Sequence, residues 1–379
     1  MKKILPVLLL SALLAACGGD SGLFPADTPT PTVTPLPSAT ATPSLEPTPS
    51  YPPGGYGPSG FPSSVNPLTG LQVANPALLE RRPLLIKVSN LPRIVRPQWG
   101  LSLADIVFEY YTEEGSTRFA ALFLGNDAEM VGPIRSARFV DAHLIRGYKA
   151  AFAFGSAYEK VLERLYRSEF ASRLVLEGIS TPLFRYDPNA HNHLMVGTSE
   201  LSAYITQLGV ENGRQDLDGM SFKLEAPAGG QAVSQIFVRH SAAIYDHWDH
   251  DPATGRYLRF AETTEDFNAN NEQYAQSTDR LTGQPLAFDN VVVLYVTHEL
   301  YATEVYDILF SGSGSGYAFR DGQAYQVTWQ RNSTDVVSLL NPDGTPFPFK
   351  PGTTWFELVG LRSRLQQTDQ GWRFQHLMP

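Results

Sequence analysis

Apolar positions are spread very unevenly along the chain. Behind Lys2 and Lys3, the run Ile4 to Leu14 is almost wholly apolar and ends in small residues, the pattern of a cleaved secretory leader spanning residues 1–16. It is too short to remain as a membrane-spanning helix, which needs about 20 apolar residues, and no later segment reaches that length. From Gly18 to about Val65 the apolar signal disappears: 12 of the 29 prolines lie between Pro25 and Pro62, interleaved with Thr and Ser. Such a stretch cannot bury a core, so residues 17–65 are expected to form a disordered tether. At about 3.1 Å per residue its reach has an upper bound of roughly 150 Å.

Folded sequence is expected from Asn66 to the C-terminus, long enough for two domains, 66–230 and 231–379. In the first, Leu84–Val88 reads as a strand and Asp105–Leu124 as a hairpin around Glu113-Glu114-Gly115-Ser116. Closing that loop with Thr112 and Thr117 would set Tyr111 opposite Arg118, with Glu109 diagonal to Arg118 on the same side. Ile106, Phe108, Tyr110, Phe119, Ala121 and Phe123 would then line the buried face. Gly132-Pro133 has the chemistry of a cap and first helical residue, which predicts a helix from Pro133 to about Tyr148. A strand at Ala151–Phe154 and helices at Ala157–Phe170 and Thr198–Gly209 follow. Helices and strands are mixed without regular alternation, which predicts an α+β fold. From about Gln231 short strand patterns dominate: Gln235–Arg239, Ala243–Trp248, Arg256–Phe260, Asn290–Thr297, Ala324–Gln330, Val336–Leu340 and Thr354–Val359. The second domain is therefore expected to be smaller and β-rich. The Gly/Ser run 311–316 reads as a flexible loop or crossing. It contains a Gly-x-Ser-x-Gly string, but its flanks are not the strand and helix of a nucleophile elbow.

Cysteine and charge narrow the picture. Cys17 is the single cysteine, which excludes disulfides and thiol catalysis within the fold. Leu14-Ala15-Ala16-Cys17 resembles a bacterial lipobox, so Cys17 is the expected site of lipidation. Acyl chains at about 0.8 kcal/mol per CH₂ would hold the protein on the extracytoplasmic face of a membrane. The formal charge is -9, and removing Lys2 and Lys3 with the leader makes it -11. No nucleic-acid partner is expected on that balance.

Several motifs recur in a fixed order across the folded region: Asn66-Pro67-Leu68-Thr69-Gly70, Arg82-Pro83, Arg96-Pro97-Gln98, Thr117-Arg118-Phe119 and Gly132-Pro133-Ile134-Arg135-Ser136-Ala137-Arg138. His191-Asn192, Val327-Thr328-Trp329, Pro342-Asp343-Gly344 and Pro351-Gly352-Thr353-Thr354-Trp355 continue the series. Together they resemble the YerB-like lipoproteins. That resemblance implies an N-terminal α+β domain, a smaller C-terminal domain and a lipid anchor, and it implies no reaction.

Candidate chemistry centres on charge. At a helix start, Arg135 and Arg138 would share one face with unpaired N–H groups, and Arg118 from the hairpin could complete a clamp for a carboxylate or phosphate. The alternative is internal pairing of these arginines with Glu109, Glu113, Glu114 or Asp105. Glu109 with Glu113 or Glu114 could act as acid and base on a glycan if about 5 to 9 Å apart. His191, beside Asn192 in a Pro- and Asn-rich loop, could act as a general base, whereas His193 reads as a loop hydrogen-bonding residue. The run Asp246–Asp251 holds metal-ligand types, but alternation along a strand sends neighbours to opposite faces, so it reads as a polar turn with a calcium or zinc site as the alternative. No metal site and no cofactor are expected. The functional expectation is a lipid-anchored binding or interaction protein of the cell envelope, with a cell-wall polymer or an envelope protein as its partner. The alternatives are an envelope hydrolase using Glu109 and His191 on wall glycan or peptide, and an assembly factor with an apolar patch.

Overall fold

The computed structural model describes residues 51–378 except 188 and 190–192; the leader, Cys17 and the tether up to residue 50 lie outside it. Residues 51–65, expected in the tether, belong to the folded body. Tyr56 exchanges two backbone hydrogen bonds with Phe222 (2.9 and 2.8 Å), and Tyr51 and Phe61 pack on the core. Their aromatic rings supply the apolar surface that the Thr/Pro repeat lacks.

Strand residues outnumber helical ones, 40% against 12%, so the α+β expectation becomes a mostly β structure with three α-helices among the described residues. A 12-stranded sheet forms its spine. The spine's three middle strands are parallel: Asn290–Ala302 pairs with Thr354–Gly360, which pairs with Ile106–Tyr111. Thr117–Phe123 and Leu84–Ser89 extend it antiparallel on one side, and Gly312–Arg320 and Gln323–Arg331 on the other. Parallel strands covered on both faces need continuous rather than alternating apolar residues. Thr354–Gly360 accordingly is buried at all seven positions. Because Thr354–Gly360 pairs directly with Ile106–Tyr111, the segments 66–230 and 231–379 share this sheet.

Two layers cover the spine. On one face lie the helices α1 (Asp141–Gly147) and α2 (Glu159–Tyr166), through Leu144, Ile145, Val161 and Leu165. On the other lie α3 (Thr198–Gln207) and a seven-stranded sheet that includes Gln235–Arg239, Tyr245–Asp251, Arg256–Glu262 and Gly371–Gln375. Trp248, Trp355, Phe119 and Phe374 fill the space between the two sheets.

Three local expectations are corrected. First, the helix expected from Pro133 does not form until Asp141. Arg135 N–H donates to Lys87 O (2.9 Å), Gly155 N–H to Arg135 O (2.9 Å) and Ala137 N–H to Ser156 O (2.7 Å), so residues 132–137 are extended and pinned between neighbouring chain segments. Backbone groups bonded outward in this way cannot also form helical bonds. Second, the hairpin is one residue out of the expected register. Glu114 (φ 50°) and Gly115 (φ 72°) make a tight left-handed turn, and Thr112 N–H donates to Ser116 O (2.9 Å), which places Tyr111 opposite Thr117 and Tyr110 opposite Arg118. Since side chains alternate, Glu109 joins Phe119 on the inter-sheet face, away from Arg118. Third, the Gly/Ser run is the strand Gly312–Arg320. A Cβ at Gly314 would stand 2.6 Å from Trp329 Nε1, so the glycine makes room for an indole that donates to Tyr295 O (3.0 Å).

Candidate functional site

Two charged assemblies occupy opposite faces of the spine, and both include residues singled out from the sequence. The first lies where the 106–123 hairpin meets the extended 132–138 segment. Arg118 donates to Glu113 Oε1 (2.9 Å) and Ser136 O (2.9 Å), while Arg138 Nε donates to Glu113 Oε2 (2.6 Å) and its second nitrogen contacts Glu113 Oε1. Of the two readings of these arginines, an external anion or internal pairing, Arg118 and Arg138 take the internal one, on Glu113. Arg135 lies close enough to Arg118 for that charge and burial to depress its pKa, but it makes no salt bridge among the described residues. Behind the clamp, Lys87 bonds Asp141 Oδ1 (3.1 Å), and Tyr110 contacts both. Burial, reinforced by Arg118 and Arg138, lowers the Lys87 pKa to about 7 against the pull of Asp141. Burial also lowers Arg118 and Arg138 to about 10.

In front of the clamp opens a groove of about 430 Å³. Thr112, Ser136, Ser156 and Thr303, the tyrosines Tyr158 and Tyr306 and the apolar Ala157, Val161 and Val305 line it beside Glu113, Glu304 and Arg138. Tyr158 is exposed, so its ring is available as a flat apolar platform.

The second assembly is buried between the sheets. Parallel pairing sets Glu109 beside Glu357, and the covering sheet adds His240, Asp246 and Arg259. Glu109 Oε1 accepts from Asn90 Nδ2 (3.1 Å) and Thr117 Oγ1 (2.6 Å), and its Oε2 from Arg259 (2.8 Å). The same Arg259 nitrogen reaches Asp246 Oδ2 (3.0 Å), and His240 Nε2 lies 3.0 Å from Glu357 Oε2. Asp246 Oδ1 has no hydrogen-bond partner, while the Glu357 carboxyl faces the indole N–H groups of Trp355 and Trp248. Burial raises the pKa of Asp246 and of Glu357, helped by the neighbouring carboxylates, and lowers that of His240. Burial would also lower Arg259, but the surrounding acids hold it above its ordinary value.

Of the residues expected to form a site, Arg118 and Arg138 converge and Arg135 stands beside them. Glu109 faces the other side of the sheet, so no Glu109–Glu113 acid–base pair flanks a common cleft. Asp105 is structural: it accepts from Asn66 Nδ2 (2.8 Å) and Gly125 N–H (3.0 Å), tying the start of the fold to the end of the hairpin. Burial raises its pKa to about 6. His191 and Asn192 lie outside the described residues, as does Cys17. Sequence reasoning missed Lys87, Asp141, Arg259 and Glu357. Its one available signal was a charged residue inside an otherwise apolar strand, as in Leu84-Leu85-Ile86-Lys87-Val88 and Trp355-Phe356-Glu357-Leu358.

Residues 68–211 match the family "Protein of unknown function (DUF3048) N-terminal domain", and residues 236–356 match its C-terminal counterpart. The chain belongs to this two-domain family. It is similar to "Putative lipoprotein YerB" of Bacillus subtilis (strain 168), 29% identical over 306 residues that cover 77% of this chain and 85% of that protein. The crystal structure of the Bacillus subtilis YerB protein superposes with a TM-score of 0.64 at 25% identity, covering 78% of this chain and 96% of the other. Among the described residues no helix is long and apolar enough to cross a membrane.

Proposed function

We propose that this DUF3048 protein is a lipid-anchored, extracytoplasmic binding protein that captures a saccharide of the cell-wall polymer in the groove beside Glu113 and Arg138. The observation that carries this reading is the groove's mixed lining: four hydroxyl-bearing residues, two tyrosines and three apolar side chains beside a carboxylate–guanidinium pair. Saccharides are bound by such surfaces, because planar charged groups hydrogen-bond paired hydroxyls while a ring covers the apolar face of a sugar. A simple anion fits less well than a neutral sugar, since Glu113 already supplies negative charge to both Arg118 and Arg138. The likeness to a protein described as a lipoprotein supports attachment through Cys17, as does the polar stretch between that cysteine and the folded body.

Titrating the full chain in detergent with an oligosaccharide cut from wall glycan tests the proposal. Saturable binding that falls at least about tenfold in Arg138→Ala and in Tyr158→Ala is the expected result, the size of one lost charge-assisted contact or stacked ring. Binding that is absent, or indifferent to both substitutions, would refute it. Attachment is tested separately: Cys17→Ser is expected to move the chain from the membrane fraction to the soluble one.

A further inference from the structure

The buried quartet Glu109, His240, Asp246 and Glu357 has a use that the groove does not explain. One ligand atom from each of the four lies within 4.8 Å of the others. All four side chains are at most 3% exposed. Counting formal charges, three carboxylates face the single guanidinium of Arg259, which leaves two negative charges in a space walled by Trp248, Trp355 and Phe119. Desolvating even one unpaired ion costs several kcal/mol, so this surplus must be neutralised, by protons or by a bound cation. One oxygen also stands ready: Asp246 Oδ1 is buried and bonds to nothing. Orphaned acceptors of this kind are rare in folded proteins.

We infer that Glu109, His240, Asp246 and Glu357 bind one divalent transition-metal ion, Zn²⁺ or Mn²⁺. The charge of such an ion equals the surplus, and the donor set of carboxylate oxygens with one imidazole suits those metals better than Ca²⁺ or Mg²⁺, which take oxygen ligands alone. Arg259 would remain as an outer partner holding the second oxygens of Glu109 and Asp246 in place. The same arginine is among the residues lining a surface cleft of about 270 Å³ with Arg93, Arg96, Gln98 and Glu262. No run of adjacent residues encodes this site. Asp246 belongs to the strand Tyr245–Asp251, His247 stacks instead on Phe260, His240 precedes that strand by a short turn, and Glu109 and Glu357 come from distant parts of the chain. The expectation that no metal is bound rested on spacing along the sequence, which cannot detect a site assembled across two sheets.

Stripping the full chain in detergent with a chelator, then dialysing it against Zn²⁺ or Mn²⁺ and measuring metal per chain, tests the inference. One equivalent retained by the wild type, with affinity reduced by about tenfold or more in Glu357→Gln and in Asp246→Asn, is expected. Both variants keep the shape of the side chain and remove a surplus charge, so they should fold. No retained metal in the wild type, or equal retention by folded variants, would overturn the site. Should a variant not fold, X-ray absorption on the loaded wild type decides: a shell of oxygen with one imidazole supports the inference, and a shell without imidazole contradicts it. Neither outcome depends on saccharide binding in the groove.

Discussion

Glu113 stands between Arg118 and Arg138, the internal pairing that the sequence offered as the alternative to an external anion, and this one residue makes the charged clamp a neutralised wall of the groove. All three side chains are mostly buried, so the pairing matters for stability: Glu113→Gln is expected to lower unfolding stability by about 1–3 kcal/mol, because two guanidiniums lose the one carboxylate that pairs with them among the described residues. Chemical denaturation measures it, and an unchanged midpoint would mean that the pair contributes nothing. A second residue-scale consequence concerns His298, whose pKa burial lowers to about 4. Its ring lies against His376 and its Nδ1 is 2.9 Å from Val296 O. The unfolded imidazole titrates near 6.5, so between pH 6.5 and 4 the unfolded chain binds the extra proton, and stability is lost as pH falls through that window. Comparing wild type with His298→Gln isolates the effect. The stability of the wild type relative to the variant should drop by about 3 kcal/mol from pH 7 to pH 4, and a constant difference would show that His298 titrates alike in the folded and unfolded chain.

Elements depend on how neighbours meet. Gly314 lies under Trp329, so Gly314→Val is expected to push the indole off Tyr295 O and to cost about 1–3 kcal/mol, read as a lower thermal midpoint. An unchanged midpoint would mean that Trp329 repacks without loss. The same strand shows what was legible from sequence and what was not. Ala151–Phe154 and Gln235–Arg239 were readable to the residue from their apolar patterns and flanking turns, whereas a Gly/Ser run carries no apolar pattern and became a strand only because Trp329 covers it. The helix expected from Pro133 failed for a related reason. Gly-Pro chemistry permits a helix start, but Ile134 and Ala137 are buried on opposite faces of the spine, which an extended segment achieves and a helix does not. In the hairpin a one-residue change of register moved Glu109 from the arginines to the buried quartet, so a correct hairpin still gave a wrong neighbourhood.

For the whole molecule the decisive feature is the parallel pairing of Thr354–Gly360 with Ile106–Tyr111, because it joins segments that the sequence presents as separate and sets Glu357 beside Glu109. Nothing local in either segment encodes that contact, so the quartet could not be read from sequence, whereas the arginines of the groove could. A chain of residues 231–379 alone is expected not to unfold cooperatively, since its central strand would expose an apolar edge; a sharp calorimetric transition from that fragment would contradict the shared sheet. The central claim is that the groove beside Glu113 and Arg138 holds a wall saccharide, and a crystal of the protein grown with a wall-glycan oligosaccharide tests it most directly. An intact sugar is predicted over Tyr158 with its hydroxyls on Glu113 and Arg138. A sugar seated elsewhere while the groove holds only water would contradict the account.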